Sequence, residues 1–301
     1  MGENKHYTGF AALVGRPNVG KSTLMNGMIG EKISIMSDRP QTTRNKIMGI
    51  LSADNAQIMF LDTPGIHKPL HKLGEYMNQA AIGTLNQVDV VLFVVDACEK
   101  KGAGEKFIIE HLKKIKTPVL LVINKIDKLD DKSLLFGIVN SYKDDMNFAS
   151  VIPVSALNHD GFEELQEEIV RHLPEGPSMF PEDELTDQPE RQIVAELIRE
   201  KALQLTRDEI PHAIAVDVDE MTTRPNDDVY IRATIYVDRD SQMGIVIGAK
   251  GAMLKEIGAL ARTDIQNLLG SKVFLDLWVK VKKDWRDRDG ILRNFGFGDE
   301  R

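Results

Sequence analysis

One stretch near the start of the sequence has the residue types and the spacing that bind phosphate groups. Gly15–Ser22 reads G-x-x-x-x-G-K-[ST], a pattern in which glycines let backbone N–H groups turn towards phosphate oxygens. Lys21 can reach the β- and γ-phosphates of a nucleotide, and the Ser22 hydroxyl can ligate Mg²⁺. The residues assigned to this loop are Gly15, Arg16, Pro17, Asn18, Val19, Gly20, Lys21 and Ser22.

The elements on either side of this loop have the right order to position it. An apolar run at 10–14 indicates a buried strand before the loop, and the run at 22–29 can open a helix after it. The N-terminus of that helix adds a partial positive charge that favours phosphate. This context predicts a true phosphate-binding loop, which by itself indicates only that a nucleoside phosphate binds.

A second motif supplies a further Mg²⁺ ligand and a contact to the γ-phosphate. The apolar run at 57–61 leads into D-x-x-G, and the motif lies about 40 residues after the phosphate loop. Asp62 can reach Mg²⁺ directly or through water, and the Gly65 N–H can meet the γ-phosphate. The residues assigned to nucleotide binding here are Asp62, Thr63, Pro64, Gly65 and Ile66.

The polar segment between these motifs contains a candidate sensor of the γ-phosphate. A threonine in a mobile loop at this place detects the γ-phosphate through Mg²⁺ in GTP-dependent switches. Thr42 and Thr43 both qualify, and the sequence does not choose between them. The predicted Mg²⁺ ligands are therefore Ser22, Thr42, Thr43 and Asp62.

A third motif indicates which base is bound. The apolar run 118–123 ends in N-K-x-D, and the Asp127 carboxylate can accept hydrogen bonds from N1–H and the 2-amino group of guanine. Adenine has neither donor and would leave a buried acceptor unpaired. Backbone N–H groups after the strand at 151–154 can meet the guanine carbonyl. The base-site residues are Asn124, Lys125, Ile126, Asp127, Ser155, Ala156 and Leu157.

The apolar runs and helical patterns of residues 5–175 alternate as β-α units. Runs such as 89–96 are apolar almost throughout, which is typical of strands buried on both faces. The alternation predicts a doubly wound, mostly parallel α/β sheet, in which ligands bind at the carboxyl ends of the strands, where all three motifs fall. Three prolines and a glycine at 173–181 then indicate a semi-rigid linker, assigned to 176–188.

The remaining part, 189–301, has a different pattern. It reads as helix, two strands, helix, G-x-x-G, helix and strand, with two short helices joined at the G-x-x-G and a third helical pattern ending near Leu269. This order resembles the KH module of type II, an α+β fold whose loop clamps about four single-stranded nucleotides. From Met243 to Arg293 there are ten basic and six acidic residues. The RNA-binding residues implied are Ile247, Gly248, Ala249, Lys250 and Gly251.

Composition limits the classes of function. A formal net charge of −8 argues against binding nucleic acid by bulk charge, so that RNA must meet a local patch. The single cysteine, Cys98, excludes an internal disulfide and a cysteine-clustered zinc site and indicates a reducing compartment. No apolar run approaches the roughly 20 residues of a membrane span. We expect a cytoplasmic monomer.

Together, the motifs G-R-P-N-V-G-K-S, Q-T-T-R, D-T-P-G-I and N-K-I-D, followed by a KH-like segment, resemble the Era family of ribosome-associated GTPases. The resemblance covers nearly the whole chain. It implies Mg²⁺-dependent hydrolysis of GTP to GDP and phosphate, binding to the 3′ end of small-subunit ribosomal RNA, and assistance in 30S subunit assembly. It also implies a peripheral association with the inner face of the membrane.

The resemblance refines the expected chemistry. Ras-like GTPases place a water-orienting glutamine after the D-x-x-G glycine, where this chain has Ile66, so we expect slow intrinsic hydrolysis and assign no catalytic residue. Similar GTPases hold K⁺ with an asparagine at the position of Asn18. His67 and His71 are interpreted as solvated switch residues. Trp285, Phe295 and Phe297 in the tail lie near the RNA by family likeness or pack against the KH core.

Two alternatives remain at this point. A P-loop metabolic kinase shares the phosphate loop, but the N-K-x-D motif argues against it. A GTPase whose second domain binds protein or membrane instead of RNA is the other. In the preferred interpretation, GTP orders the segments around Thr42, Thr43 and Gly65, and their state sets how the KH domain docks.

Overall fold

The computed structural model describes residues 5–37, 42–67, 69, 71–131 and 133–297. The chain divides into two compact units, the first from 1–34, 43–69 and 74–187 and the second from 35–42, 70–73 and 188–301. Gln41 of the Q-T-T-R motif lies outside the described residues. Each unit has its own apolar core.

The first unit is built on a six-stranded sheet with strand order β2-β3-β1-β4-β5-β6. β2 is antiparallel to β3, and the other pairs are parallel. The strands are β1 (Tyr7–Val14), β2 (Ile47–Ala53), β3 (Ala56–Asp62), β4 (Val90–Asp96), β5 (Val119–Asn124) and β6 (Ser150–Pro153). The helices in this part of the chain are α1 (Lys21–Ile29), α2 (Lys72–Thr84), α3 (Ala103–Leu112), α4 (Leu134–Tyr142) and α5 (Phe162–Val170), with a 3₁₀ turn at Ile126–Lys128.

Helices cover both faces of this sheet. Side chains of α1 and α5 pack with one set of strand residues, and side chains of α2, α3 and α4 pack with the alternate set. Both faces are buried, which explains why β3, β4 and β5 are apolar almost throughout. The predicted doubly wound α/β fold is confirmed.

The proline-rich segment after α5 is hydrogen-bonded to the first unit's sheet. The Gly176 N–H donates to the His6 carbonyl at 3.0 Å, and the Met179 N–H donates to the Gln57 Oε1 at 2.7 Å. The Ile50 N–H donates to the Leu185 carbonyl at 2.8 Å. Most of the segment interpreted as a linker at 176–188 therefore belongs to the first unit, because its extended backbone finds partners there.

The second unit has a three-stranded sheet with order β7-β8-β9. β7 is antiparallel to β8 and has an irregularity between Val218 and Glu220, whereas β8 is parallel to β9. The strands are β7 (Ala215–Thr223), β8 (Val229–Val237) and β9 (Val273–Val281). The helices are α6 (Glu190–Leu205), α7 (Ile210–Ala213), α8 (Asp240–Ile247), α9 (Ala252–Leu269) and α10 (Asp289–Asn294), with 3₁₀ turns at Ala249–Gly251 and Trp285–Asp287.

After the G-x-x-G, the chain forms one long helix instead of the two predicted helical segments. α9 runs unbroken for 18 residues, because Ile257, Ala261 and Ile265 form one continuous buried stripe. Gly258 stays within the helix, where a Cβ would lie 3.3 Å from Leu277 Cδ1. The expected α+β KH fold is otherwise present.

The aromatic residues of the tail pack into the second unit. Trp285 is fully buried, and its Nε1–H donates to the Ala213 carbonyl at 2.8 Å. The Phe295 ring meets the Trp285 ring edge-on, with centroids 5.4 Å apart, and Phe297 stacks on the same ring. Of the two interpretations of these residues, the structure supports core packing.

Two short segments from the first half of the chain belong to the second unit. The Met36 N–H donates to the Glu200 carboxylate at 2.8 Å, and the Arg199 guanidinium donates to the Thr42 carbonyl. His71 Nδ1 lies 3.0 Å from the Asp287 carboxylate. Within the part of the chain described here, no helix has both the length and the apolar character needed to cross a membrane.

Candidate nucleotide site and nucleic-acid groove

The predicted phosphate loop lies between the end of β1 and the start of α1. Gly20 has a φ of 95°, and a Cβ there would lie 2.3 Å from the Asn124 Nδ2 atom. Both the left-handed backbone and the close approach require glycine at this position. Asn18 is also left-handed, with a φ of 65°. The loop therefore has the curled backbone that a phosphate cradle needs.

Lys21 is buried inside this loop. Its Nζ donates to the carbonyls of Gly15 at 3.3 Å and Arg16 at 3.0 Å. Burial lowers the pKa of Lys21 to about 8, an effect that the nearby Asp62 carboxylate partly opposes. A desolvated ammonium bound mainly by neutral carbonyls is poorly stabilised, so it is well suited to receive a phosphate anion.

A buried carboxylate lies beside the loop and collects hydroxyl groups from three segments. Asp62 Oδ2 accepts from the hydroxyls of Ser22 at 2.6 Å, Ser34 at 2.9 Å and Thr43 at 3.2 Å. Its other oxygen, Oδ1, is buried and has no hydrogen-bond partner among the described residues. Burial raises the pKa of Asp62, while Lys21 and the three hydroxyls lower it. A hard cation that prefers oxygen ligands fits this set of donors.

The two threonines that the sequence could not separate have different surroundings. The Thr43 hydroxyl is 2.9 Å from Ser22 Oγ and also contacts Asp62. The Thr42 hydroxyl instead donates to the Ser37 carbonyl at 3.3 Å. Ser34, which no sequence motif indicated, joins the Asp62 cluster because the loop after α1 turns inward there. In the sequence, the position of this serine between two isoleucines was the available signal.

The D-x-x-G loop packs directly against the phosphate loop. The Ile66 N–H donates to the Gly15 carbonyl at 3.2 Å, and a Cβ on Gly65 would lie 2.7 Å from the Pro17 nitrogen. Ile66 itself is 1% exposed and lies in the core. Its side chain is therefore doubly unsuited to orient water, being apolar and turned away from solvent.

Asn124 ties the base end of the site to the phosphate end. Its Nδ2 donates to the Val19 carbonyl at 2.9 Å. Its Oδ1 accepts from the backbone N–H groups of Lys125 at 2.7 Å and Ala156 at 3.0 Å. One buried amide thus connects the phosphate loop, the N-K-x-D motif and the segment after β6.

The other residues of the base end are also held in place. Asp127 Oδ1 accepts from the Ser155 hydroxyl at 2.6 Å. Lys125 Nζ donates to the Asn18 carbonyl at 2.7 Å and lies 2.6 Å from Asp96 Oδ2. Asp96 was not identified from the sequence, although a carboxylate that ends an apolar strand was a usable signal.

Three predicted nucleotide residues have surroundings that the motifs did not indicate. Arg16 Nη1 is 2.7 Å from Glu99 and 2.9 Å from Glu105, so its side chain is paired with carboxylates of the protein. The Ser155 N–H donates to the Asp160 carbonyl at 3.0 Å. Leu157 is 70% exposed.

The second unit contains a groove beside the G-x-x-G turn. Gly248 has a φ of 75°, and a Cβ there would lie 2.6 Å from Met253 Cβ; Gly251 has a φ of 80°. The groove runs between α9 and β9 and encloses about 370 Å³. Its lining is apolar apart from two cations: Gly251, Leu254, Lys255, Gly258, Ala259, Arg262, Leu275 and Leu277. This lining suits unstacked bases next to phosphates.

Comparison with known proteins identifies related families for both parts of the chain. A family model described as a 50S ribosome-binding GTPase matches residues 10–125, and a KH domain model matches residues 209–286. The crystal structure of Era in complex with MgGDPNP and nucleotides 1506–1542 of 16S ribosomal RNA is 42% identical, with a TM-score of 0.94 over 98% of this chain and 100% of that chain. The chain belongs to the Era family.

A second Era structure is similar in the same way. A variant of Aquifex aeolicus Era bound to GDP.AlF4⁻ is 41% identical, with a TM-score of 0.92, over 97% of this chain and 100% of that chain. The predicted resemblance and the GTPase-then-KH organisation of the Era family are confirmed.

Replacing Asn124 tests the connection between the two ends of the nucleotide site. We expect Asn124→Ala to weaken GDP and GTP binding by at least about tenfold, because buried backbone groups left unpaired cost roughly 1–3 kcal/mol each. Titration with a fluorescent guanine nucleotide measures the effect. Asn55→Ala, in the exposed turn between β2 and β3, is the matched control and should bind like the wild type. Equal affinity for both variants would contradict this role of Asn124.

Proposed function

We propose that this Era-family GTPase binds the 3′ end of small-subunit ribosomal RNA and assists assembly of the 30S subunit. The main support for this proposal is that one chain contains both a nucleotide site and a G-x-x-G groove. The chain also matches the full length of an Era protein crystallised with MgGDPNP and 16S ribosomal RNA. The reaction is hydrolysis of GTP to GDP and phosphate.

The guanine base is bound by the Asp127 carboxylate, which accepts from N1–H and the 2-amino group. The hydroxyl of Ser155, 2.6 Å from Asp127, fixes the carboxylate for this role. The Lys125 stem covers one face of the base. At the other end, Lys21 and the backbone N–H groups of Gly15–Ser22 bind the phosphates.

Ser22, Thr43 and Asp62 would hold Mg²⁺. The unpartnered Oδ1 of Asp62 and the hydroxyls already gathered on its Oδ2 support this assignment. We favour Thr43 over Thr42 because only the Thr43 hydroxyl contacts Asp62 and Ser22 in the described residues. When bound, the metal neutralises charge on the β- and γ-phosphates.

Intrinsic hydrolysis is slow, because the buried Ile66 side chain replaces the glutamine that orients water in Ras-like GTPases. Asn18, left-handed within the phosphate loop, is the residue that we propose to hold K⁺ beside the phosphates, as in similar GTPases. We expect turnover of GTP to be several-fold faster in potassium than in sodium buffer at equal ionic strength. Equal rates in a steady-state phosphate-release assay would argue against a potassium site.

RNA is bound in the groove between α9 and β9. The backbone at Gly248–Gly251 clamps the sugar-phosphate chain, and Leu254, Leu275 and Leu277 receive bases. Lys250, Lys255 and Arg262 supply the local positive charge that a chain of net charge −8 otherwise lacks.

Nucleotide state controls RNA binding through the loop that contains the two threonines. Thr43 contributes its hydroxyl to the Asp62 cluster, and the preceding Thr42 accepts a hydrogen bond from Arg199 of α6. Thr43 and Thr42 are joined by one peptide bond. A change at Thr43 on GTP binding is therefore transmitted to the Thr42–Arg199 contact, which lies within the second unit.

The protein acts in the cytoplasm as a monomer and associates peripherally with the inner face of the membrane. The family resemblance supports the membrane association, and the single cysteine supports a reducing compartment. The 30S subunit is the assembly partner.

Binding to purified small ribosomal subunits tests the proposed function. We expect binding with a non-hydrolysable GTP analogue, at least tenfold weaker binding with GDP, and loss of binding in the double variant Gly248→Asp, Gly251→Asp. The aspartates place negative charge against RNA phosphates. Sedimentation of the protein with subunits measures the bound fraction.

The matched control is Gly270→Asp at the end of α9. Gly270 is also left-handed, with a φ of 62°, and a Cβ there meets nothing within 4 Å. The Gly270→Asp variant should therefore bind subunits like the wild type. Guanine-nucleotide affinity of the double variant checks the first unit, and circular dichroism checks folding of the full chain. Subunit binding that persists in a folded double variant would show that the second unit recognises protein or membrane instead.

A further inference from the structure

The outer face of the second unit's sheet carries aromatic side chains that the groove does not use. In the pairing of β8 with β9, Tyr230 lies opposite Phe274, and Thr234 lies opposite Trp278. Because side chains alternate along a strand, this face is opposite to the one that packs on α9. Trp278 is 54% exposed and Phe274 is 39% exposed. Large aromatic residues so exposed on one face mark a candidate binding surface.

Trp278 is held in a defined orientation. Its Nε1–H donates to Asp276 Oδ2 at 3.0 Å, and the Arg232 Nε donates to the same oxygen at 3.3 Å. Since the only polar group of the indole is engaged within the sheet, the exposed part of Trp278 is its apolar ring. A fixed, exposed ring is a ready platform for stacking.

Positive charge accompanies these rings at one end of the face. The Arg224 guanidinium lies 4.7 Å from the centroid of Phe274 and 5.3 Å from that of Tyr230. The Lys272 Nζ lies 5.2 Å from the Phe274 centroid. Arg232, by contrast, is paired with Glu220 and Asp276. Aromatic rings can stack on the bases of a nucleic-acid strand, and the cations beside these rings can contact its phosphates.

This face is continuous with the RNA groove through one strand. Leu275 and Leu277 of β9 line the groove, and Phe274 and Trp278 project from the other side of β9. β9 is one of the two edge strands of the sheet, so among the described residues no further strand separates the two surfaces. A chain leaving the groove has to pass only around this edge.

We propose that the RNA strand in the groove continues around the edge of β9 and stacks bases on Trp278 and Phe274. Arg224 and Lys272 then meet its phosphates. The inference rests on the proposed RNA binding and extends the site from the groove to a second surface on the outer sheet face. The ligand class is single-stranded RNA, bound with little base selectivity because every base has a face that stacks.

Two RNAs of different length distinguish binding at this surface from binding in the groove. One is a tetranucleotide, long enough for the groove alone, and the other extends the same sequence by about six nucleotides at each end. In the full-length protein with a GTP analogue, we expect the longer RNA to bind more tightly. We expect Trp278→Ala to weaken the longer RNA about tenfold, within the range for losing one stacking side chain. The tetranucleotide should bind unchanged.

Conservative and matched variants complete the test. Trp278→Phe keeps a stacking ring and should retain most of the affinity for the longer RNA. Leu268→Ala removes another exposed apolar side chain, 39% exposed on α9, and should change nothing. Because the other tryptophan, Trp285, is buried, the longer RNA should quench fluorescence in the wild type and not in Trp278→Phe.

The outcomes are distinguishable. If neither RNA binds, the proposed function fails and this inference fails with it. If the tetranucleotide binds and the longer RNA binds no more tightly, RNA binding in the groove is supported and the proposed second surface is contradicted. The same conclusion follows if Trp278→Ala leaves the affinity for the longer RNA unchanged. Equal loss for both RNAs in Trp278→Ala would show an effect on the groove itself and would also overturn it.

Discussion

A buried carboxylate with an unsatisfied oxygen is the constraint on which the nucleotide site depends. Asp62 has no exposed surface, and removing such a charge from water is costly unless other groups compensate it. Hydroxyls from the start of α1 and from the loop after it satisfy Oδ2, while Oδ1 is unpartnered in the described residues. The protein side of the site is therefore incomplete by itself. In the proposed function, a nucleotide with its divalent cation completes it, and ligand binding is thereby linked to the position of Thr43.

Single structural elements serve more than one purpose in both sites. Asn124 uses a single amide to join loops that follow three different strands, so the guanine end and the phosphate end are held as one site. In the second unit, β9 lines the groove with one set of alternate side chains and presents Phe274 and Trp278 with the other. Both sites depend on where strands end or alternate, which explains how a modest number of residues supports two binding functions.

The contiguous parts of these sites could be predicted from sequence, because a phosphate loop or a G-x-x-G turn needs its residues at fixed local spacing. The fold followed from apolar runs such as Val90–Asp96, which read as doubly buried strands. Ser34 and Asp96 were missed because their roles arise from tertiary contacts, and the choice of Thr43 over Thr42 needed side-chain positions. The segment at 176–188 was predicted to be a linker because prolines indicate an extended chain equally well when that chain is bound to a sheet.

Replacing Asp62 by asparagine tests whether Mg²⁺ binding depends on this carboxylate. The measurement is the affinity for a GTP analogue with and without Mg²⁺, in the wild type and in Asp62→Asn, with metal-free GDP binding as the check that the variant is folded. We expect Mg²⁺ to raise affinity at least about tenfold in the wild type, the size of one charge-assisted contact, and to have little effect in Asp62→Asn. An equal gain from Mg²⁺ in both proteins would contradict this expectation, because the metal would then be bound without this carboxylate.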